Sequence, residues 1–421
     1  MLPEAIILLS MLTVFAVSVF VLKLPAGVSL MAAALIGALA GGEGIPIRHL
    51  VEGSFGFLEA ILIIATAMIF MKVAEASGVL STISYWMIKS FYKSPSLLFV
   101  VIALFIMFPG MLTGLSSACL LTTGALIVPA LLAMGMPKLA AGSFVALMAV
   151  LGEIAPPICI PVMIIGGGVD MPYIGFTRPL FLASFPLAVV LALYYRYRYL
   201  NHFEIQAVLA KLPKPVYHKH GFKLFLPIIF VIAYLIVENL FPEKVLHIGV
   251  PLIFMIGALI GLLTGEKFAV PTVLRSAIRN AMPVMAILVG VGMFLQILTL
   301  TGARGWVAVN ALKLPEEIKY LTAGLMPFFG SAYAAASVIG VPLVYVFIGK
   351  NEIVLTAGLA LMAALGDLMP PPSMLFAYAS QMVDVKNHYR ILKASLIPII
   401  LCLVVGLIII IYAEKIARII L

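Results

Sequence analysis

The sequence predicts an all-α, polytopic membrane protein built from two repeats. Three observations carry that prediction. The chain of 421 residues is 64% hydrophobic and 10% charged, whereas soluble proteins carry about 25% charged residues. Its apolar residues fall into long runs; a spanning helix needs about 20 of them, which leaves room for roughly ten to twelve crossings, some of them broken. A stretch ending at Pro157, ALMAVLGEIAPP, returns 214 residues later as ALMAALGDLMPP, ending at Pro371, with eight of twelve positions identical.

The runs lie at about 5–22, 27–42, 55–76, 97–112, 118–135, 139–151, 158–168 and 179–195, then at 224–241, 247–264, 270–300, 318–329, 331–349, 353–366, 373–383 and 394–413. Glu4 opens the first run with no basic region before it and no small-residue cleavage site after it, so that run reads as a retained span. LSTISYWMIKSFY (80–92) is amphipathic and reads as interfacial, with Trp86 and Tyr92 at the headgroup boundary. Between the two sets of runs lies a basic stretch with Arg196, Arg198, Lys211, Lys214, Lys219 and Lys223. Cytoplasmic loops collect Lys and Arg, so the net charge of +9 reads as topology. No aromatic–basic repeat points to nucleic acid. The expected organisation is a first repeat at 1–200, a basic cytoplasmic linker at 201–222 and a second repeat at 223–421.

Cys119, Cys159 and Cys402 all lie in apolar runs, and an odd buried set is no disulfide framework. No GK[ST] phosphate loop, His-based metal spacing or Ser/His/Asp arrangement is present, and the chain reads as no enzyme. No cofactor is expected beyond Na⁺ or H⁺ as a coupling ion.

The repeated motif carries the chemistry. Pro-Pro removes two backbone donors and disfavours helix in the preceding residue. Gly152–Pro157 and Gly366–Pro372 should therefore be unwound breaks between half-helices. Freed carbonyls at such a break can coordinate a cation, and the next half-helix N-terminus can attract an anion. A charge at mid-membrane costs several kcal/mol unless paired or hydrated. Glu153 and Asp367, at equivalent positions, are thus candidates to bind a cation, carry a proton or cap the broken helices. Upstream of each break lies a small-residue stretch. One holds Gly114, Ser116, Ser117, Thr122 and Thr123; the other holds Gly330, Ser331, Tyr333 and Ser337. Each suits the tip of a hairpin that enters the membrane and turns back, or ordinary small-residue helix packing.

TGLSSA, then IVP, then GEIAPPICIPVMIIGGG resemble the large membrane subunit of tripartite (TRAP-type) transporters. More widely they resemble the superfamily that includes divalent anion/sodium symporters. The resemblance is most specific over 110–168. It implies two inverted repeats, each a re-entrant hairpin followed by a broken helix, with a transport domain sliding as an elevator against a scaffold. It implies a first cation site at Gly114, Ser116, Ser117 and the backbone of Gly152, Glu153, Ala155 and Pro156. The second would use Gly330, Ser331 and the backbone of Gly366, Asp367, Met369 and Pro370. A carboxylate substrate would lie between the tips, near Ser117, Thr122, Pro157, Ser331, Tyr333, Pro371 and Ser373. Implied partners are a small membrane subunit, an extracytoplasmic binding protein and the lipid bilayer, here the cytoplasmic (inner) membrane of a prokaryote. The family pattern has no acid directly after the glycine of either break. Glu153 and Asp367 depart from it, which favours proton coupling or a carboxylate-held cation and weighs against a doubly anionic substrate.

The expected function is cation-coupled uptake of a small organic acid, such as a dicarboxylate or sugar acid. The alternatives are a stand-alone ion/proton antiporter of the same superfamily and a non-transporting membrane subunit of a complex. Elsewhere, Lys72 and Glu75 should pair on one helix face. Asp170 and Asp384, again 214 apart, should end half-helices. Arg304 is a loop charge or an anion ligand.

Overall fold

The computed structural model describes residues 3–200, 203–241, 246–370 and 373–421. The described residues are helical and contain no strand. Seven helices are long and apolar enough to cross a membrane, or eight if the pair Ile47–Ser54 and Leu58–Ala76, bent by 41°, is one span. Three shorter apolar helices accompany them.

The first half runs α1 (Glu4–Ala16), α2 (Ala26–Ala40), α3 (Ile47–Ser54), α4 (Leu58–Ala76), α5 (Val79–Phe91), α6 (Pro95–Thr113), α7 (Ser116–Cys119), α8 (Ala125–Ala133), α9 (Lys138–Ile154), α10 (Ile160–Gly168) and α11 (Thr177–Tyr199). Two short helices follow, α12 (Ile205–Leu209) and α13 (Tyr217–His220). The second half runs α14 (Leu226–Leu240), α15 (Val250–Thr264), α16 (Val270–Leu300), α17 (Ala303–Leu312), α18 (Glu316–Leu325), α19 (Ala332–Ala335), α20 (Val341–Val346), α21 (Glu352–Ala364), α22 (Met374–Met382), α23 (Tyr389–Ile411) and α24 (Ala413–Ile420).

The same element order thus occurs twice, but not at one fixed offset. It is 224 between α2 and α15, and 216 between the π-helical turns Leu120–Gly124 and Ala336–Gly340. It is 214 between α10 and α22, and 212 between α11 and α23. Equivalent helices as well as connections differ in length (α6 has 19 residues and α18 has 10; α9 has 17 and α21 has 13), so a single offset of 214 misplaces the early pairs. Helices α3 and α4 together correspond to the whole of α16. The backbone repeats in detail. Left-handed glycines precede α5 and α17 (Gly78, φ 83; Gly302, φ 74), and left-handed aspartates follow α10 and α22 (Asp170, φ 59; Asp384, φ 53).

Packing separates two bodies. In one, α16 lies against α2, α3 and α4, while α4 meets α15 and α15 meets α14. In the other, α9 is wrapped by α6, α7, α11, α22 and α23, and α21 by α10, α11 and α23. Every residue of α9 from Ala140 to Ile154 is buried, as is every residue of α21 from Val354 to Ala364. Helices apolar all round belong in a core, so both broken helices run through the centre of this second body. The windows at Glu4–Val21 and Tyr217–Glu238 are 22% buried, against 61% for Pro95–Thr113; the former present apolar side chains outward, as lipid-facing helices do. Helices α5 and α17 bridge the bodies: α5 touches α4 and α6, and α17 touches α1, α16 and α20.

The first body is sealed by glycine. A Cβ on Gly292 would lie 2.0 Å from the Gly53 carbonyl oxygen, and one on Gly290 would lie 2.4 Å from that of Gly27. Such backbone-to-backbone approach is how helices associate where no water drives them together. Gly292→Ala should lower the thermal unfolding midpoint of the solubilised protein, at about 1–3 kcal/mol for overpacking; an unchanged midpoint would show that this contact is loose.

The basic linker is not a free loop. Val216 N–H donates to Thr82 Oγ1 at 3.2 Å, and the Trp86 ring sits 4.5 Å from Tyr217 and 5.3 Å from Phe225. The linker is docked on α5, and Trp86, expected at the headgroup boundary, packs against protein. Lys72 and Glu75 pair at 2.7 Å, as their spacing predicts.

Candidate functional site: two breaks brought to one point

Each tip is made by a glycine that ends one helix so that a short helix can begin. Gly114 (φ 67) caps α6, and Gly330 (φ 100) ends the 3₁₀ turn after α18. No Cβ is accommodated comfortably at either value. Four helical residues follow each tip, α7 and α19, and then the π-helical turns, a local widening that often marks functional sites.

The breaks lie against the tips. Helix α9 stops at Ile154, Ala155 is extended, and Pro156–Pro157 carries a cis bond. Ile158 N–H donates to the Met111 carbonyl at 3.3 Å, tying the first break to its own hairpin. Helix α21 passes through a 3₁₀ turn at Leu365–Asp367. A Cβ on Gly366 would lie 2.4 Å from the Gly330 carbonyl oxygen, so the second break touches the second tip backbone to backbone.

Side chains also join the two regions expected from sequence, across the halves. Ser116 Oγ, on the first tip, donates to Asp367 Oδ2, on the second break, at 2.7 Å. Ala332 N–H donates to Asp367 Oδ1 at 2.9 Å, so Asp367 also caps α19. Tyr333 Oη, on the second tip, donates to the Gly114 carbonyl on the first at 3.0 Å. Glu153, on the first break, is 0% exposed. It faces Asp367, Ser116 and Tyr333, yet neither carboxyl oxygen closes a hydrogen bond among the described residues. The reason is visible: the Ser116 hydroxyl is engaged by Asp367, and the Tyr333 hydroxyl by Gly114. Among the described residues no basic side chain pairs with either acid.

A buried carboxylate with neither donor nor counter-charge is unfavourable by several kcal/mol. Glu153 is therefore suited to take up a proton or to share a cation with Asp367. Ser331 Oγ and Ser373 Oγ are also buried without a partner among the described residues, and Ser373 sits at φ 55 just before α22.

Other expected site residues fare differently. The Gly152 carbonyl accepts from Ala155 N–H at 3.3 Å and the Gly366 carbonyl from Met369 N–H at 3.1 Å, while the Met369 carbonyl accepts from Ser373 N–H at 3.1 Å. These carbonyls are not free, as an unwound break had implied, although each keeps a second lone pair. Pro156 is buried and Pro370 half-buried. Thr122 donates to the Ala118 carbonyl at 2.6 Å within its own helix and reaches neither tip nor break. Ser117 is half-buried with no side-chain bond among the described residues. Pro157 is exposed, and its carbonyl accepts from Tyr173 Oη at 3.0 Å. Pro371 lies outside the described residues.

Tyr173 is a residue that sequence reading missed. Its hydroxyl also accepts from Cys159 N–H at 2.9 Å, so one side chain holds both ends of the first break. Nothing marks it in sequence, because it lies past α10 in a loop. Tyr173→Phe should leave the buried Cys159 N–H unpaired and destabilise the protein by about 1–3 kcal/mol. A thermal midpoint equal to wild type would remove that role. Arg304 is also placed unexpectedly, on α17 rather than in a loop. It donates to Asp170 Oδ2 at 3.0 Å and to Tyr345 Oη at 2.7 Å. Asp384, the repeat equivalent of Asp170, is bound by Lys138 at 3.1 Å.

Residues 2–200 match the family described as the tripartite ATP-independent periplasmic transporter, DctM component. The residues on which the resemblance was read, TGLSSA and GEIAPP, lie inside that match. The fold is similar to that of the Alcanivorax borkumensis YdaH transporter, whose crystal structure revealed an unusual topology. The TM-score is 0.60 and the match covers 96% of this chain and 98% of that one, at 17% identity. At that identity the likeness is one of fold. No curated protein matches the chain by sequence.

Proposed function

We propose that the chain is a secondary active transporter of the tripartite large-subunit type, which couples entry of Na⁺ or H⁺ to uptake of a small organic acid. The observation that carries the reading is the meeting of Glu153 and Asp367. One acid from each break faces the other at the point where both hairpin tips converge, with no basic side chain among the described residues to neutralise them. A cation or proton bound there joins first half to second, so its arrival and departure can govern whether tips and breaks stay together. Ser116, Ser331 and Tyr333 supply oxygens beside the pair for the ion or the acid.

In this reading the halves are inverted repeats, 1–200 and 223–421, tied by the linker 201–222. The body built on α9 and α21 moves as an elevator against the one built on α2, α4, α15 and α16. Two features support it: the bodies share few helix contacts, and α5 and α17 form bridging arms. The setting is the cytoplasmic membrane of a prokaryote, with a small membrane subunit and an extracytoplasmic binding protein as partners.

The test is uptake of labelled C4 and sugar acids into proteoliposomes under an imposed Na⁺ or H⁺ gradient, with and without the partners. Accumulation driven by one gradient is expected. Ion flux that needs no acid would instead favour ion/proton exchange, a second reading that the unpaired acids also suit. No flux of either kind, with partners present, would remove the transport reading.

A further inference from the structure

A second site lies away from the acid pair. A cavity of about 360 Å³ opens between α1, α16, α17 and α20. Small-molecule sites begin at about 300 Å³. Leu8, Leu12, Leu298 and Val341 are among its apolar walls, and Trp306 lies on one side. Among the described residues Arg304 is the one charged residue that lines it, with Tyr345 beside it. The walls come from both bodies: α1 and α16 belong with the first, and α20 follows the second tip.

The guanidinium is held but not saturated. Nε and Nη2 donate to Tyr345 Oη at 3.0 and 2.7 Å, and Nη2 donates to Asp170 at 3.0 Å. Nη1 has only a long contact of 3.4 Å to Thr299. The Asp170 side chain is 82% exposed. An ion pair so open to solvent is weak, and a second carboxylate can compete for the fork.

We infer that this cavity binds a fatty acid drawn from the bilayer. Its chain lies along the apolar walls and its carboxylate sits on Arg304 in competition with Asp170. Charge complementarity decides the occupant: a guanidinium in a chamber whose remaining polar liners, Tyr345, Asn310 and Thr322, are neutral selects an acid headgroup over a neutral one. Because α1, α16 and α20 all line the cavity, an occupant wedges the two bodies in their present relation and displaces the Asp170 tie that links α17 to the end of α10. Bound fatty acid would therefore slow any relative motion of the bodies.

The sequence contains two tryptophans, so Trp86→Phe leaves Trp306 as the sole tryptophan reporter, on the cavity wall. In that background, solubilised full-length protein is titrated with 9,10-dibromostearate and with its methyl ester, and quenching of Trp306 is read. The acid should quench saturably, with a half-point at least about tenfold below the ester's, a difference of one charged hydrogen-bonded pair. Asp170→Asn, an exposed change, should tighten acid binding severalfold, and Arg304→Gln should erase the preference for acid over ester. Equal quenching by acid and ester, no saturable quenching by the acid, or an acid affinity indifferent to Asp170→Asn would each overturn the proposal. None of these readouts depends on transport.

Discussion

Glu153→Gln should abolish gradient-driven accumulation while leaving the protein as stable as wild type or more so. The substitution keeps the shape of the side chain and removes its capacity to carry a proton or ligate a cation. Glu153 has no donor and no counter-charge among the described residues and faces a second acid. Exchanging it for an amide removes a buried ionisable group and lets the new N–H₂ donate toward Asp367. Replacing buried ionic groups by well-fitting neutral ones is often neutral or stabilising, by up to about 4 kcal/mol. The two readouts therefore separate function from folding. Coupled uptake should fall to background, and the thermal midpoint in detergent should hold or rise. A fall in both would make Glu153 a packing residue, and retained accumulation would exclude it from coupling.

Gly366→Ala is expected to have the second large effect. The added methyl would lie 2.4 Å from the Gly330 carbonyl oxygen, and a backbone atom cannot swing aside as a flexible side chain can. The second break must then back away from the second tip. Asp367, the next residue, would lose its geometry with Ala332 N–H and Ser116 Oγ, now 2.9 and 2.7 Å. Displacing a working group by about 1 Å can cost roughly a hundredfold in rate, and a loss of that order is expected in uptake. Gly324→Ala is the control: its new methyl would meet nothing closer than the Leu407 side chain at 3.9 Å, and transport should be unchanged. Equal effects of the two substitutions would mean that the close approach at Gly366 has no functional consequence.

Much of this arrangement could be read from residues alone. Composition and apolar runs predict the helical membrane architecture, and GEIAPP and GDLMPP predict where helices break, because glycine and paired prolines act locally. The ends of the half-helices at Asp170 and Asp384 were likewise legible. Pairing across the chain was not. The resemblance paired each tip with its own break; the structure has those contacts and adds one across the halves, from Ser116 to Asp367, 251 residues away. That contact exists because α9 and α21 pack in one body, and nothing local encodes it. Thr122 resembled a ligand by residue type, but mid-helix its hydroxyl bonds the carbonyl four residues back, as threonine commonly does. The single offset of 214 fails early in the chain because equivalent helices, α6 and α18 above all, differ in length.

The most direct measurement records entry of the coupling ion and of the acid together in proteoliposomes, for wild type, Glu153→Gln and Asp367→Asn. If the two acids form one coupling site, wild type moves ion and acid in fixed proportion, and each variant loses the ion flux. A variant that keeps the wild-type proportion would show that its acid caps a helix and takes no part in coupling.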